Sequence, residues 1–344
     1  MTTDTTFAPQ IQLPPAYTAR PGDYSDLPAI TELLNACSLE LLGVADSTEE
    51  DTRAEWDAPG FDPAGSTRVV LAPSGKLVGY IEVWDNREPP VKPFAWGRVH
   101  PDFQGQGIGS GLMAWAEGRA RQAIRRAPPE ARVALNAGCH SHHAPSKSLL
   151  ESCGMSPNRY FYNMLIDLDG PPAAPRWPEG VTFQAYRHPE QAPQVYQAVR
   201  EAFKDHWGHV PEPYETGLQR WSRHHFSRPE FDPSLWLLAM DGGQIAGFSL
   251  CQMTAPEDPH NGFVATLGVL RPWRQRGLGL ALLQESFRTL WERGRRHVSL
   301  FVDADSLTGA TRLYEKAGMR VRYQMDNYEK ELRPGIELGT QSVE

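Results

Sequence analysis

VHPDFQGQGIGSGL, from Val99 to Leu112, and VLRPWRQRGLGLAL, from Val269 to Leu282, are two copies of one motif set 170 positions apart. Gly107 and Gly109 in the first copy match Gly277 and Gly279 in the second, and the first adds Gly105. Each copy follows an apolar run and opens an amphipathic stretch, and each repeat later reaches a Gly-Met pair, Gly154-Met155 and Gly318-Met319. A helix N-terminus leaves about four backbone N–H groups without partners and carries a partial positive charge. Glycines leave those groups open to an anion. The motif therefore reads as a pyrophosphate cradle, and its recurrence with matched flanks reads as a duplicated domain.

Other glycine motifs fit less well. Neither copy has the Gly-Lys-Ser/Thr of a P-loop. A dinucleotide fold places its glycines after the first strand of the domain, whereas here they follow roughly the fourth. A helix start with glycines for close packing is the plain structural alternative, and the duplication weighs against it.

Outward from the motif, the periodicity gives each repeat the same order: strand, helix, hairpin, strand, glycine turn, helix, strand, helix, strand. In the first repeat the expected strands are Arg68–Ala72, Leu77–Trp84, Phe94–Val99, Ala131–Asn136 and Arg159–Leu168. Ile108, Leu112, Trp115 and Ala116 share one helix face. In the second they are Val181–Tyr186, Leu235–Met240, Ile245–Met253, Gly262–Val269 and His297–Asp303, with Leu280, Leu283, Phe287 and Leu290 on the helix face. Pro171, Pro172, Pro175 and Pro178 mark a semi-rigid linker. The expected division is a flexible tail over 1–16, a domain over 17–168, a linker over 169–180, a domain over 181–332 and a tail over 333–344. The fold class is α/β: two tandem domains, each a mixed sheet flanked by helices.

At 344 residues the chain suits two domains. Its 34 basic and 42 acidic residues give a formal charge of −8, which argues against a nucleic-acid partner. Four cysteines without framework spacing suggest reduced thiols and a cytoplasmic address. The N-terminus lacks the basic start and apolar run of a signal peptide, and no stretch approaches a membrane span. Cys139, His140, His142 and His143 form the dense run CHSHH, but they crowd one loop and no second cluster completes a tetrahedral metal set, so no metal is expected.

Gln104–Gly109 (QGQGIG) and Arg274–Gly279 (RQRGLG) match the Gln/Arg-x-x-Gly-x-Gly/Ala signature of the GNAT superfamily of acyl-CoA N-acyltransferases. The chain resembles that family over both repeats. The resemblance implies acetyl-CoA or another acyl-CoA as co-substrate, with pyrophosphate on the glycine turn and acyl transfer to an amine. In the second repeat it implies cofactor contacts from Val269, Leu270, Arg274, Gln275, Arg276, Gly277, Leu278, Gly279 and Asp303. In the first it implies them from Val99, Gln104, Gly105, Gln106, Gly107, Ile108 and Gly109. It further implies that the strand before the turn splays from its neighbour to admit pantetheine. A backbone N–H near Val99 or Val269 would then meet the thioester oxygen.

Acyl transfer to an amine needs a base for the ammonium and an acid for the departing thiolate. In the family a tyrosine on the helix after the penultimate core strand often serves as that acid. Tyr314 stands four residues before Gly318, whereas the equivalent place before Gly154 holds Leu150. The C-terminal half is therefore expected to be catalytic and the N-terminal half degenerate or regulatory. For the base, Asp205, His206, His209 and Glu212 lie in the loop Ala202–Glu215, with Glu257 and Asp258 as runners-up. Asn136 and Asp303 are expected to end equivalent strands. The expected partner is a small-molecule amine, with no nucleic acid and no membrane, and the chain is a monomer or homodimer. The competing class is a non-catalytic acyl-CoA sensor. An aminoacyl-tRNA-dependent transferase is disfavoured by the acidic balance.

Overall fold

Gly107 and Gly277 adopt the same left-handed backbone, φ +84° and ψ −3°, and each stands as the residue before a helix. That conformation is costly for a side chain bearing Cβ. The computed structural model describes residues 11–227, 230–306 and 309–338. The tail assignments for 1–10 and 339–344 lie outside the described residues. Among those described, no helix is long and apolar enough to cross a membrane.

In chain order the first repeat supplies β1 (Thr18–Arg20), α1 (Leu27–Leu42), α2 (Glu49–Trp56), α3 (Pro63–Ser66), β2 (Thr67–Leu71), β3 (Leu77–Trp84), β4 (Phe94–Val99), α4 (Ile108–Ala120), β5 (Val133–His140), α5 (Ala144–Ser152) and β6 (Ser156–Asp167). The second supplies β7 (Val181–Ala185), α6 (Ala192–Phe203), α7 (Tyr214–Phe226), β8 (Trp236–Asp241), β9 (Gln244–Gln252), β10 (Gly262–Val269), α8 (Leu278–Glu292), β11 (His297–Asp303), α9 (Ala310–Lys316) and β12 (Arg320–Arg333).

Two compact units form, and each takes its closing strand from the other repeat. Among the described residues, one comprises 11–158 with 326–338 and the other falls within 159–325. The first unit orders its strands β1-β2-β3-β4-β5, followed by the Asp326–Arg333 part of β12. The second orders them β6-β11-β10-β9-β8-β7, and β6 pairs antiparallel with β11 from His297↔Asp167 to Asp303↔Phe161. Both sheets are mixed, and in each the strand before the glycine turn lies parallel to its neighbour.

The helix after each turn is held by its apolar face. In α4, Ile108, Leu112, Trp115 and Ala116 are all buried, as their spacing predicts. In α8 the buried set is Leu278, Ala281, Leu282, Leu283, Phe287 and Leu290. Leu280, expected on that face, is only half-buried, and Leu282 takes its place in the core.

Three further differences have physical causes. The helices α2 and α7 were not foreseen, because both are charge-rich and bury only a narrow stripe: Thr52 and Trp56 in one, Gly217 and Trp221 in the other. Thr48 caps α2 by accepting from Asp51 N–H, a signal present in the sequence. Asn136 does not end its strand, because β5 continues to His140 and carries the start of the CHSHH run with it.

Candidate active site

In the second unit the turn is built by backbone. Gln275 has φ +61° and Gly277 φ +84°, which curls the chain ahead of α8. A Cβ on Gly277 would meet nothing within 4 Å, so this flank of the helix start is open. Gly279 is different: a Cβ there would stand 3.1 Å from Leu313 Cδ2 and 3.7 Å from Val269 Cγ2, so its absence lets α9 and β10 close on the helix. Leu278 is buried and anchors the first turn, while Gln275 and Arg276 are exposed at its rim. Arg274 Nε donates to Val269 O (3.0 Å) and its Nη2 to Ala202 O (3.1 Å), tying the turn to β10 and to α6. Leu270 N–H donates to Ala246 O (3.0 Å), fixing the strand exit.

Below the turn the sheet opens. β10 and β11 share only the rungs Gly262↔Val298 and Phe263↔Ser299. From there to Val269 the edge of β10 facing β11 has no ladder partner. On its other side β10 skips a residue against β9 between Val264 and Thr266, leaving Ala265 as a bulge. A bulge re-aims the strand and leaves the extra residue's backbone unpaired. The gap runs six residues from its closed end at Phe263 to Val269, roughly 20 Å at about 3.3 Å per residue.

Glu257 stands at the closed end. It is 5% exposed, and its Oε1 accepts from Asn163 Nδ2 (3.0 Å) and from Ser299 Oγ (2.6 Å). Its Oε2 and the Oδ1 of Asn163 are both buried and carry no hydrogen bond. Buried acceptors without donors are costly in a finished core and recur where a ligand supplies the donor. Asp258 instead serves its own turn, accepting from His260 N–H (3.0 Å).

Tyr314 is 8% exposed and shares one apolar cluster with Val264 of β10 and with Leu300 and Val302 of β11. These strands flank the gap. Burial pushes its phenol up to about 12, so it is a proton donor at neutral pH.

The loop after α6 divides its candidates. Asp205 pairs with Arg271 at 2.5 Å, and that guanidinium holds the carboxyl below its ordinary value, which weakens it as a base. Glu212 pairs with Arg220 at 2.5 Å, within the packing of α6 and α7. His206 packs on Phe203 with ring centroids 4.4 Å apart. Burial lowers its imidazole, and the Asp303 carboxylate partly opposes that shift. Asp303 accepts two hydrogen bonds of 2.8 Å from Arg159, whose guanidinium lies 5.6 Å from the Trp207 ring centroid. Thus Asp303 and His206 belong to the open end of the gap, and Glu257 and Ser299 to the closed end. Asn163, Arg159 and Ser299 were missed as site residues. Ser299 sits in an alternating strand and the other two in a strand of the opposite repeat, so no local signal marks them.

The first unit carries the same turn with different surroundings. Gly105 and Gly107 have φ +72° and +84°, and Gly109 faces Leu149 of α5. Gln104 closes the preceding short helix, its N–H donating to Pro101 O (3.3 Å). Ile108 is buried and Val99 half-buried, as in the second unit. Here, however, Ile11–Tyr17 runs along the helix start. The Tyr17 hydroxyl donates to Gln106 Oε1 (2.6 Å), Pro14 Cγ lies 3.7 Å from an ideal Cβ on Gly107, and Gln12 O only 2.4 Å from one on Gly111. β4 and β5 also share only two rungs, Phe94↔Asn136 and Ala95↔Ala137. Yet β4 pairs with β3 without interruption from Phe94 to Val99, so it has no bulge. Leu150, at the place of Tyr314, is buried and has no proton to give.

The acetyltransferase (GNAT) family profile matches residues 27–155 and, separately, 192–319. A mycothiol acetyltransferase of Streptomyces bingchenggensis is 33% identical over 259 residues, covering 74% of this chain and 77% of that protein. One of Salinispora arenicola is 31% identical over 300 residues, covering 81% and 90%. Among solved structures, a GCN5-related N-acetyltransferase from Sphaerobacter thermophilus superposes with a TM-score of 0.80 at 38% identity, covering 96% of this chain and 100% of that one. A tandem GNAT protein from the clavulanic acid biosynthesis pathway shares the fold, with a TM-score of 0.70 at 17% identity over 93% of this chain and 100% of that one.

Proposed function

The chain belongs to the acetyltransferase (GNAT) family in both of its halves, and on that premise we propose that its second unit transfers an acetyl group from acetyl-CoA to a primary amine. The pyrophosphate rests on the N–H groups before and within the first turn of α8. The pantetheine arm enters at Val269 and runs down the gap, so that its acyl end faces the closed end. One of the backbone N–H groups that β10 loses from its ladder receives the thioester oxygen. Glu257 takes a proton from the incoming ammonium, directly or through water. The amine nitrogen then attacks the carbonyl carbon, the C–S bond breaks, and Tyr314 protonates the thiolate. The products are an amide and free CoA. His206, neutral and near the open end, is the second candidate for the base.

The observation that carries this reading is Glu257 itself: a buried carboxylate oriented by Asn163 and Ser299, with one oxygen awaiting a donor, at the foot of a gap whose leading strand is bulged. The first unit has the turn but neither the bulge nor the acid, which favours turnover in the second unit only. For the acceptor, relatives named mycothiol acetyltransferase favour a small-molecule amine of the mycothiol type over a protein terminus.

The test is thiol release from acetyl-CoA against a panel of amines that includes the deacetylated form of mycothiol. Tight acetyl-CoA binding without release for any amine would make the chain a sensor. Glu257→Gln, which keeps shape but removes basicity, is expected to lower kcat/KM by roughly 100-fold. The acidic limb of its pH profile should vanish. A retained limb would move the base to His206.

A further inference from the structure

The gap of the first unit holds a charge for which acyl transfer has no use. Arg98 stands three residues beyond the last rung between β4 and β5, Ala95↔Ala137, and His140 stands three residues beyond it on the other strand. The two therefore lie at one level on opposite sides of the opening. Arg98 is paired across the strand with Tyr80, which packs with Leu27, Ile30 and Leu33 of α1, so the guanidinium points to that face. There it lies 4.5 Å from the Trp96 ring centroid and donates to Gly97 O (3.0 Å). Arg98 is half-buried, and among the described residues no carboxylate is within ion-pair distance of it.

The acid on the same face is already engaged. Glu82 accepts from the Tyr80 hydroxyl (2.5 Å) and from Trp84 Nε1 (2.8 Å), and burial raises its carboxyl. Cys37 stands at the Val99 end of β4, its thiol donating to Val99 O (3.4 Å), and burial keeps it protonated, up to about 11. Burial lowers the imidazoles of His140, to about 4, and of His143, so both are neutral at pH 7. No three His, Cys, Asp or Glu side chains among the described residues converge as a metal requires. The start of the CHSHH run thus borders the gap, across from a cation whose carboxylate neighbours, Glu82 and Asp46, stand beyond ion-pair distance. The second copy has Gly268 at the position of Arg98 and no such charge.

We infer that the gap of the first unit is a binding site for a small carboxylate, gripped by the Arg98 guanidinium on its Trp96 platform. Removing a cation from water without an anion is expensive, and an incoming carboxylate offsets that cost. The planar fork of arginine, its plane set by stacking, matches a carboxylate in two parallel hydrogen bonds. A flat group suits an opening between two strands. The site does not depend on catalysis by the second unit, which can fail without affecting it. The carboxylate has two possible sources, a free acid or the far end of an acyl chain carried on CoA. Ile11–Tyr17 along the glycine turn favours the free acid.

The experiment is calorimetric titration of the full chain with succinate, with succinyl-CoA and with inorganic phosphate. Succinate binding that weakens by roughly 30-fold or more in Arg98→Gln supports the free acid. Arg98-dependent binding of succinyl-CoA alone supports the CoA-borne acid. Should Arg98→Gln lose its circular dichroism signal, Arg98→Lys decides the matter. It keeps the charge but not the fork, and is expected to bind more weakly than the wild type. The inference is overturned if neither carboxylate binds the wild type at millimolar concentration, if binding is indifferent to both substitutions, or if phosphate binds as tightly as succinate.

Discussion

Tyr314→Phe is expected to lower kcat by roughly 1,000-fold while leaving the KM for acetyl-CoA nearly unchanged, within the range typical of a lost general acid. The expectation rests on position and protonation. The ring fills a core that includes residues of both strands flanking the gap, and phenylalanine fills it equally well. Among the described residues no hydrogen bond holds the hydroxyl, so its removal leaves no buried partner stranded and the melting temperature should hardly move. Burial keeps the phenol protonated up to about 12, so it has a proton to give over the whole working range. A loss confined to kcat is the signature of an interaction made only in the transition state. Unchanged kcat, measured by thiol release under saturating acetyl-CoA, would remove Tyr314 from the mechanism.

Gly277→Val is expected to weaken acetyl-CoA binding by about 3 kcal/mol or more, at least roughly 100-fold, because two or more charge-assisted hydrogen bonds from the turn are lost. The substitution acts twice. At φ +84° a β-branched residue is strained, so the turn rearranges. Its side chain also projects into a flank where nothing now lies within 4 Å. Equilibrium binding measured beside circular dichroism separates loss of the cradle from loss of the fold. The same substitution at Gly107 tests the division of labour. If turnover falls as far there, chemistry belongs to the first unit as well.

The part of the site made from contiguous residues was legible in sequence. Gly277 and Gly279 announced the turn because a left-handed residue and a close helix approach both demand glycine, and 170-residue repetition removed the ambiguity of a short motif. Counting back from Gly318 singles out Tyr314, and the fold buries it among residues of β10 and β11. The base was harder. The loop rich in Asp205, His206 and Glu212 drew attention through composition, yet two of those carboxylates are spent on Arg271 and Arg220. Glu257, one of two adjacent acids in an unremarkable loop, is the one that the fold buries beside Ser299 and Asn163. Ion pairing and burial are long-range outcomes, and composition reports neither.

By itself, the sequence determined the duplicated fold, the glycine turn ahead of one helix in each repeat, and the contrast of Tyr314 with Leu150 at matching places. Each of these rests on spacing within a few dozen residues, where backbone conformation and helix periodicity act. Only the tertiary structure decided which sheet each closing strand joins. β6 belongs to the first repeat in sequence but pairs along β11 of the second, bringing Asn163 to Glu257 and Arg159 to Asp303. Alternation of apolar and polar residues says which face of a strand is buried, not which sheet edge it pairs with. The choice falls to hydrogen bonds and packing between residues more than ninety positions apart, a distance over which no local pattern carries information.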